Sequence, residues 1–272
     1  ALIEPLKKIS SLGDYIAAWQ KNAILDIAPI RDLSYWLELQ FENLTGLRNS
    51  QLINLVIWFV GLVGFDRILS LLKVNQSVRY FILFLIGLHP VLHNSVFWTA
   101  GRKHILSATF VCGSLYYFLR WYLERTKAIG LFISALFFLL ALGSHPINVG
   151  FPIFIGFFLW RKGILCERKA QIYLLVTLAI SAIFAFLNAR YYASESYMNT
   201  GGIFAPKFIQ ESPELFLKRV LIIGRYLFQL MIPVKPAVVA YHVYDWPSYV
   251  GVGLMVGTGI TFIKYLRQIP WE

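Results

Sequence analysis

A chain of 272 residues that is 58% hydrophobic and only 14% charged, with a mean hydropathy of +0.62, lies well outside the soluble range, where roughly 45–50% apolar and about 25% charged residues are usual. Its net charge of +11 and pI near 9.6 would suit nucleic acid, but the cations stand in short clusters between apolar runs, as in the cytoplasmic loops of membrane proteins. That pattern excludes nucleic acid as a partner and points to an integral membrane protein.

Residues 1–49 carry scattered charges and no run of the roughly 20 apolar residues that a crossing needs. The opening ALIEPLKKISSLGDY lacks the apolar core of a secretory signal, and the chain reads as a piece of a longer protein. Between Ile24 and Leu47, Ile30, Leu33, Leu37 and Phe41 recur at helical spacing and leave Arg31, Glu38 and Glu42 elsewhere. This predicts short amphipathic helices at the membrane interface or against the bundle, with Trp19, Tyr35 and Trp36 at headgroup level.

Residues 50–272 read as a transmembrane helical bundle. Apolar runs at Leu52–Leu72, Tyr80–Leu92, Ile105–Leu123, Ala128–Leu142, Ile147–Trp160, Ile172–Leu187, Phe216–Val234 and Tyr249–Leu266 predict about eight spans. His89-Pro90 breaks or kinks the second. Asp66-Arg67, near one end of the first, reads as a snorkelling or self-paired charge. Gly251, Gly253, Gly257 and Gly259 put small residues along the last run, which favours close helix packing. Cys112 and Cys166 form no CxxC pair, so thiol usage assigns no compartment. The sequons Asn43-Leu44-Thr45 and Asn75-Gln76-Ser77 fall on opposite predicted faces and are discounted.

Lysine and arginine placement orients the bundle. Lys73 and Arg79 flank one connection, Arg120, Arg125 and Lys127 lie in a second, and Arg161, Lys162, Arg168 and Lys169 in a third. With these in the cytoplasm, the N-terminal segment, the connection 89–103, Ser144–Asn148 and the loop 190–213 share the extracytoplasmic face. The last two runs fit this alternation less well, since Lys264 and Arg267 would fall outside.

The stretch from Gly87 to Ser107 holds three of the five histidines, His89, His93 and His104, together with Asn94, Trp98, Arg102 and Lys103. So many polar groups between apolar runs mark a candidate cleft, to which His145 is added from the facing connection. His89, His93 and His104 also have the ligand types for an open three-histidine site holding a divalent metal.

Several passages resemble a known family. Pro29-Ile30-Arg31-Asp32-Leu33, Gly46 and Gln51-Leu52-Ile53-Asn54-Leu55 are similar to its "RPL…G…hLxNLLLH" passage. His89-Pro90, Val96, Trp98, Gly101-Arg102 and Leu106-Ser107 are similar to its "HPxxxEAVxWxxGRxDLLS". Arg219, Gly224-Arg225-Tyr226, Pro233 and Tyr241 resemble a later "R…GrYl…P…Y" segment. The family is that of the tetratricopeptide-bearing transmembrane O-mannosyltransferases and their bacterial relatives, in the glycosyltransferase-C superfamily. The resemblance runs in order from about residue 14 to 245. It implies an all-α polytopic bundle whose first extracytoplasmic loop carries catalytic carboxylates, and a polyprenyl-phosphate-linked sugar as donor. The chain departs from the pattern at acidic positions: Asn94 stands where the family has Glu, Lys103-His104 where it has Asp, and a single Asp14 where it has a pair.

Inverting sugar transfer needs a carboxylate base and a cation on the leaving phosphate. Asp14 is the first candidate base, with Asp32 and Asp26 behind it, and Arg31, Arg102 and Lys103 are the candidate phosphate ligands, with Arg190 and Lys207 further off. Two functions follow as expectations. One is a glycosyltransferase in the bacterial inner membrane or the endoplasmic reticulum, moving sugar to a protein or glycan. The other is a catalytically degenerate accessory subunit of a larger membrane assembly, binding lipid and other membrane chains. A transporter is disfavoured, because no acidic residue stands at mid-span.

Overall fold

A computed structural model describes residues 13–14, 28–46, 49–89, 95–124 and 128–192, and from the remainder residues 217, 220–222, 224–226, 228–229 and 247–257. Every regular element among them is helical, with no strand. The chain divides into two compact units, residues 1–87 with 95–200, and residues 88–94 with 201–272.

In the first unit the helices are α1 (Pro29–Thr45), α2 (Ser50–Leu71), α3 (Gln76–Gly87), α4 (Arg102–Glu124), α5 (Ile129–Ser144), α6 (Phe151–Arg161) and α7 (Arg168–Tyr192), with 3-10 turns at Thr99–Gly101 and Pro146–Gly150. Their ends follow local chemistry. Gly46, at φ 70°, closes α1 in the left-handed conformation and donates its N–H to the Glu42 carbonyl at 2.8 Å. The Asn49 side chain accepts from Leu52 N at 2.9 Å and caps α2, and Asn75 caps α3 through Ser77 N at 2.9 Å. Prolines 29, 146 and 152 stand in first turns, where a missing N–H costs nothing.

Among the described residues two helices are long and apolar enough to cross a membrane: α2 with 22 residues, and α7 over Arg168–Arg190. At 1.5 Å per residue α2 extends about 33 Å, matching a hydrocarbon core of roughly 30 Å. Their burial runs opposite to that of a water-soluble core helix. Only 17% of the most apolar window of α2, and 22% of that of α7, is buried. Leu52, Leu55, Val56, Phe59, Val60 and Val63 are exposed on α2, while Ser50, Asn54 and Gly61 turn inward. On α7, Leu175, Ile183 and Phe186 are exposed while Ala170, Thr177, Ser181 and Asn188 are buried. Small and polar residues inside with large apolar ones outside is the order expected when the surroundings are as apolar as the side chains.

α4 packs between α2 and α5, and α5 packs in turn on α7. Gly61 makes the first contact close, since a Cβ there would sit 2.7 Å from Thr109 Oγ1. That hydroxyl spans the two helices, within 3.1 Å of the Ile57 carbonyl and 2.8 Å of its own Ile105 carbonyl. Across α4, α5 and α7 runs a buried hydroxyl chain. Ser134 Oγ donates to the Ser114 carbonyl at 2.7 Å and lies 3.1 Å from Ser114 Oγ and 2.8 Å from Tyr173 Oη. Around Tyr173 lies the apolar core, with Ile68, Phe118, Trp121, Leu131, Ile155 and Leu159. These residues come from the end of α2, the end of α4, the starts of α5 and α7, and α6. The core therefore sits toward the end of the unit where the Lys73/Arg79, Arg120 and Arg161–Lys169 connections lie.

The predicted runs from residue 50 to 187 each overlap a described helix; the run Tyr80–Leu92 does so only as far as Gly87, where α3 stops before His89-Pro90, and residues 90–92 lie outside the described residues. Several of these helices are shorter than a full crossing: α3 has 12 residues, α5 16 and α6 11. Asp66 pairs not with its neighbour Arg67 but with Arg79 on α3, whose Nε and Nη2 reach its carboxylate at 2.8–2.9 Å. The largest difference is α1. The later half of its apolar stripe points outward, with Leu37 and Phe41 each 54% exposed, while Ile30 packs on Gly143 of α5 and Arg31, Asp32 and Glu38 are buried. Tyr35 and Trp36 are buried too, so they do not mark an interface; Trp19 lies outside the described residues.

In the second unit, described helical residues between Leu217 and Gln229 pack on α8 (Pro247–Gly257). A Cβ on Gly251 would stand 1.7 Å from the Gly224 carbonyl oxygen, so the two backbones touch where both residues are glycine. Gly253 and Gly257 face open space and Gly259 lies outside the described residues, so Gly251 alone of the glycine series is seen to make this contact.

Candidate functional site

At the end of the first unit opposite its apolar core, the start of α1, the start of α2, the 95–101 turn, the start of α4 and the end of α5 come together. Residues 95–103 and 144–148 of the predicted extracytoplasmic connections thus share an end with α1. What gathers them is Arg102.

Gly101-Arg102 is explained by the backbone around it. A Cβ on Gly101 would lie 2.3 Å from the Ser95 carbonyl oxygen, so only glycine lets the turn fold over itself before α4 starts. The next residue then enters the interior. Arg102 is fully buried. Its Nε donates to Asn54 Oδ1 at 2.7 Å and its Nη2 lies 2.5 Å from Glu38 Oε2. Longer contacts reach the Ser50 carbonyl (3.3 Å) and the Ser34 carbonyl (3.4 Å), and its guanidinium carbon stands 4.4 Å over the Tyr35 ring.

The partners are themselves anchored. Glu38 Oε1 accepts from Ser50 Oγ. Asn54 Nδ2 donates to the Val96 carbonyl at 3.0 Å and reaches that of Trp98 at 3.5 Å. Tyr35 Oη donates to the Thr99 carbonyl at 2.5 Å. Burial pushes the Tyr35 phenol up to about 12, with the nearby Arg102 and Arg31 opposing the rise. One turn earlier, Arg31 Nε and Asp32 Oδ1 pair at 2.8 Å, with side chains 2% and 9% exposed. Asp32 sits in the first turn of α1, where the helix dipole favours a carboxylate.

Among the predicted phosphate ligands, Arg31 and Arg102 are buried and held by protein carboxylates, while Lys103 is half-buried at the rim. Asp32 is buried against Arg31, whereas Asp14 is exposed. Trp98 is 54% exposed, its carbonyl rather than its indole meeting Asn54. His104 is exposed, and its ring lies 4.8 Å from that of half-buried His145. His145 Nδ1 accepts from Ile147 N at 3.1 Å and caps the 3-10 turn, and Asn148 in that turn donates to Ser107 Oγ at 2.5 Å. His89 is half-buried and belongs to the second unit, and His93, Asn94 and Asp26 lie outside the described residues. Of the three predicted histidines His104 is the one described in this unit, and its ring neighbour is His145. Among the described residues no group of three His, Cys, Asp or Glu side chains is placed to hold a metal ion.

Glu38, Ser50, Asn54 and Tyr35 were not among the predicted site residues. Glu38 carried a signal. It lies off the apolar stripe of a helix in a chain poor in acids, and a buried arginine needs a carboxylate.

Comparison with protein-family models, curated proteins and solved structures finds no match.

Proposed function

We propose that this chain is a multi-pass integral membrane protein of glycosyltransferase-C-like architecture, and that it serves as an accessory subunit whose charged cluster braces the bundle instead of acting on a substrate. The observation that carries this reading is Arg102. A donor-phosphate ligand must offer N–H groups to a ligand, and Arg102, with no exposed surface, gives its own to Asn54 and backbone carbonyls while its charge is paired with Glu38. The paired burial of Arg31 and Asp32 supports the same conclusion. A base must come within hydrogen-bond reach of the acceptor hydroxyl, and a carboxylate engaged inside a helix bundle does not. The outward apolar faces of α2 and α7 support insertion in lipid.

The second reading is sugar transfer from a polyprenyl-phosphate donor. It is favoured by exposed Asp14 as base and by Lys103 at the rim beside His104. The two readings part in one experiment. The full-length protein is purified from membranes in mild detergent and also assayed, in membranes, with labelled polyprenyl-phosphate sugars, alongside Asp14→Asn and Lys103→Ala. The subunit reading expects stoichiometric membrane partners and no transfer. A partnerless protein whose transfer activity disappears with Asp14→Asn overturns it. Arg102→Ala does not separate the readings, because loss of the buried ion pair is expected to destabilise the site by about 3–5 kcal/mol whatever its role.

A further inference from the structure

We propose that the first unit carries a binding site for an anionic phospholipid at the end where its basic connections lie, in the groove between α5 and α7. The site is remote from the Arg102 cluster. It rests on the membrane reading above, not on whether the chain transfers sugar.

A cavity of about 250 Å³ runs between the first two turns of both helices, floored by Leu131, Ala135 and Tyr173 and flanked by Phe132 and Val176. Among the described residues its lining has one charged member, Lys169, which is exposed, as is Arg168 beside it. From Lys169 to Val176 the groove descends seven residues, about 10 Å along the helix. An apolar slot of that length with a cation at its end has the two-part chemistry of a lipid, an acyl chain below and a phosphate above. Three features select an anionic lipid over other apolar occupants. α7 is long and apolar enough to cross a membrane, and Phe132 and Val176 at the groove walls are exposed, so the groove opens where acyl chains would be. α5 and α7 both begin here, and their N-terminal partial charges add to that of Lys169. Arg161 and Lys162 end the preceding helix, which gives this end the basic character that attracts anionic lipid of the cytoplasmic leaflet. Ala135 makes the space, since a larger residue there would fill the slot.

The test is thermal unfolding of the full-length protein in neutral detergent with added phosphatidylglycerol, phosphatidylcholine or inorganic phosphate. Native mass spectrometry of the same samples counts the lipids retained. Wild type is expected to gain several degrees more with phosphatidylglycerol than with phosphatidylcholine, nothing from inorganic phosphate, and to retain one phosphatidylglycerol. Lys169→Glu changes an exposed side chain and should leave the fold intact while abolishing that preference. Val176→Trp, also at an exposed position, should close the groove and remove both lipid shifts. Equal shifts with the two lipids, or a preference that survives Lys169→Glu, would overturn the proposal. So would a shift from phosphate alone equal to that from phosphatidylglycerol, or a self-association that Val176→Trp abolishes. Failure of sugar transfer or of partner capture leaves these outcomes untouched.

Discussion

Arg102 Nη2 and Glu38 Oε2 meet at 2.5 Å with side chains 0% and 5% exposed, joining the start of α4 to the middle of α1. Removing one member of such a pair strands the other without a counter-charge. Arg102→Leu and Glu38→Leu are each expected to destabilise the first unit by about 3–5 kcal/mol. The double variant should cost less than either single, because no orphan charge remains. Thermal unfolding in detergent of the four proteins measures this coupling, and additive costs would mean that the pair contributes nothing beyond its parts.

How much of this was legible in the sequence depends on which solvent rule applies to each helix. Runs of apolar residues located α2 to α7 because length and hydropathy need no knowledge of facing. The inward face of α1 was not legible from its period. Leu37 and Phe41 lie on one stripe and Glu38 on another, and the aqueous rule sends the leucine inward. Beside a polar core and an apolar exterior the preference inverts, and Glu38 goes to Arg102. Gly101-Arg102 and Asn54 were visible as motif positions, but a motif says nothing of partners, so Arg102 was read as a ligand to phosphate. The pairing of residues 38 and 102 is a tertiary fact with no local signature.

Tyr35 offers a pH dependence. The folded protein holds the neutral phenol up to about pH 12, whereas an unfolded tyrosine ionises near pH 10. The contribution of Tyr35 is therefore full below about pH 10 and is lost as pH rises toward about 12. Tyr35→Phe should remove the hydrogen bond to the Thr99 carbonyl, at a cost of about 1 kcal/mol at neutral pH. It should also flatten the decline of stability across that alkaline window, and an unchanged slope would show that Tyr35 does not titrate with unfolding.

Gly61 sets the approach of α2 to α4. Gly61→Ala places a methyl 2.7 Å from Thr109 Oγ1, and overpacking of this kind costs about 1–3 kcal/mol. Thr109→Ala removes the obstructing oxygen. The double variant is expected to be more stable than Gly61→Ala alone, although Thr109→Ala by itself loses the hydroxyl contact with the Ile57 carbonyl. Unfolding midpoints of the three variants decide it.

Ser134 stands between Ser114 and Tyr173 in the buried hydroxyl chain. Interhelical hydrogen bonds inside membranes contribute modestly, averaging about 0.6 kcal/mol with a maximum near 1.7 kcal/mol. Ser134→Ala and Tyr173→Phe should each fall in that range and show coupling in the double variant. Independent effects would mean that the 2.8 Å contact carries no free energy of its own.

Orientation is the last prediction, and the chain supplies one of its own reporters. Cys166 is exposed in the connection between α6 and α7, within the basic run Arg161 to Lys169, and Cys112 is partly buried inside α4. If lysine and arginine set the topology, a membrane-impermeant maleimide applied to intact cells should leave Cys166 unlabelled and label it only after the cytoplasm is opened. With Cys166 replaced by serine, a cysteine at exposed His104 should behave in the opposite way. Glu38 shares that end of the unit through Arg102, so the same result would place the buried ion pair at the extracytoplasmic end. Labelling of Cys166 from outside would reverse the bundle, moving Lys169 and its groove to the outer leaflet and the α1 cluster to the cytoplasm. The side chains would keep their partners in either case. What would change is which leaflet supplies the lipid, and which compartment any partner of the rim formed by Lys103 and His104 must occupy.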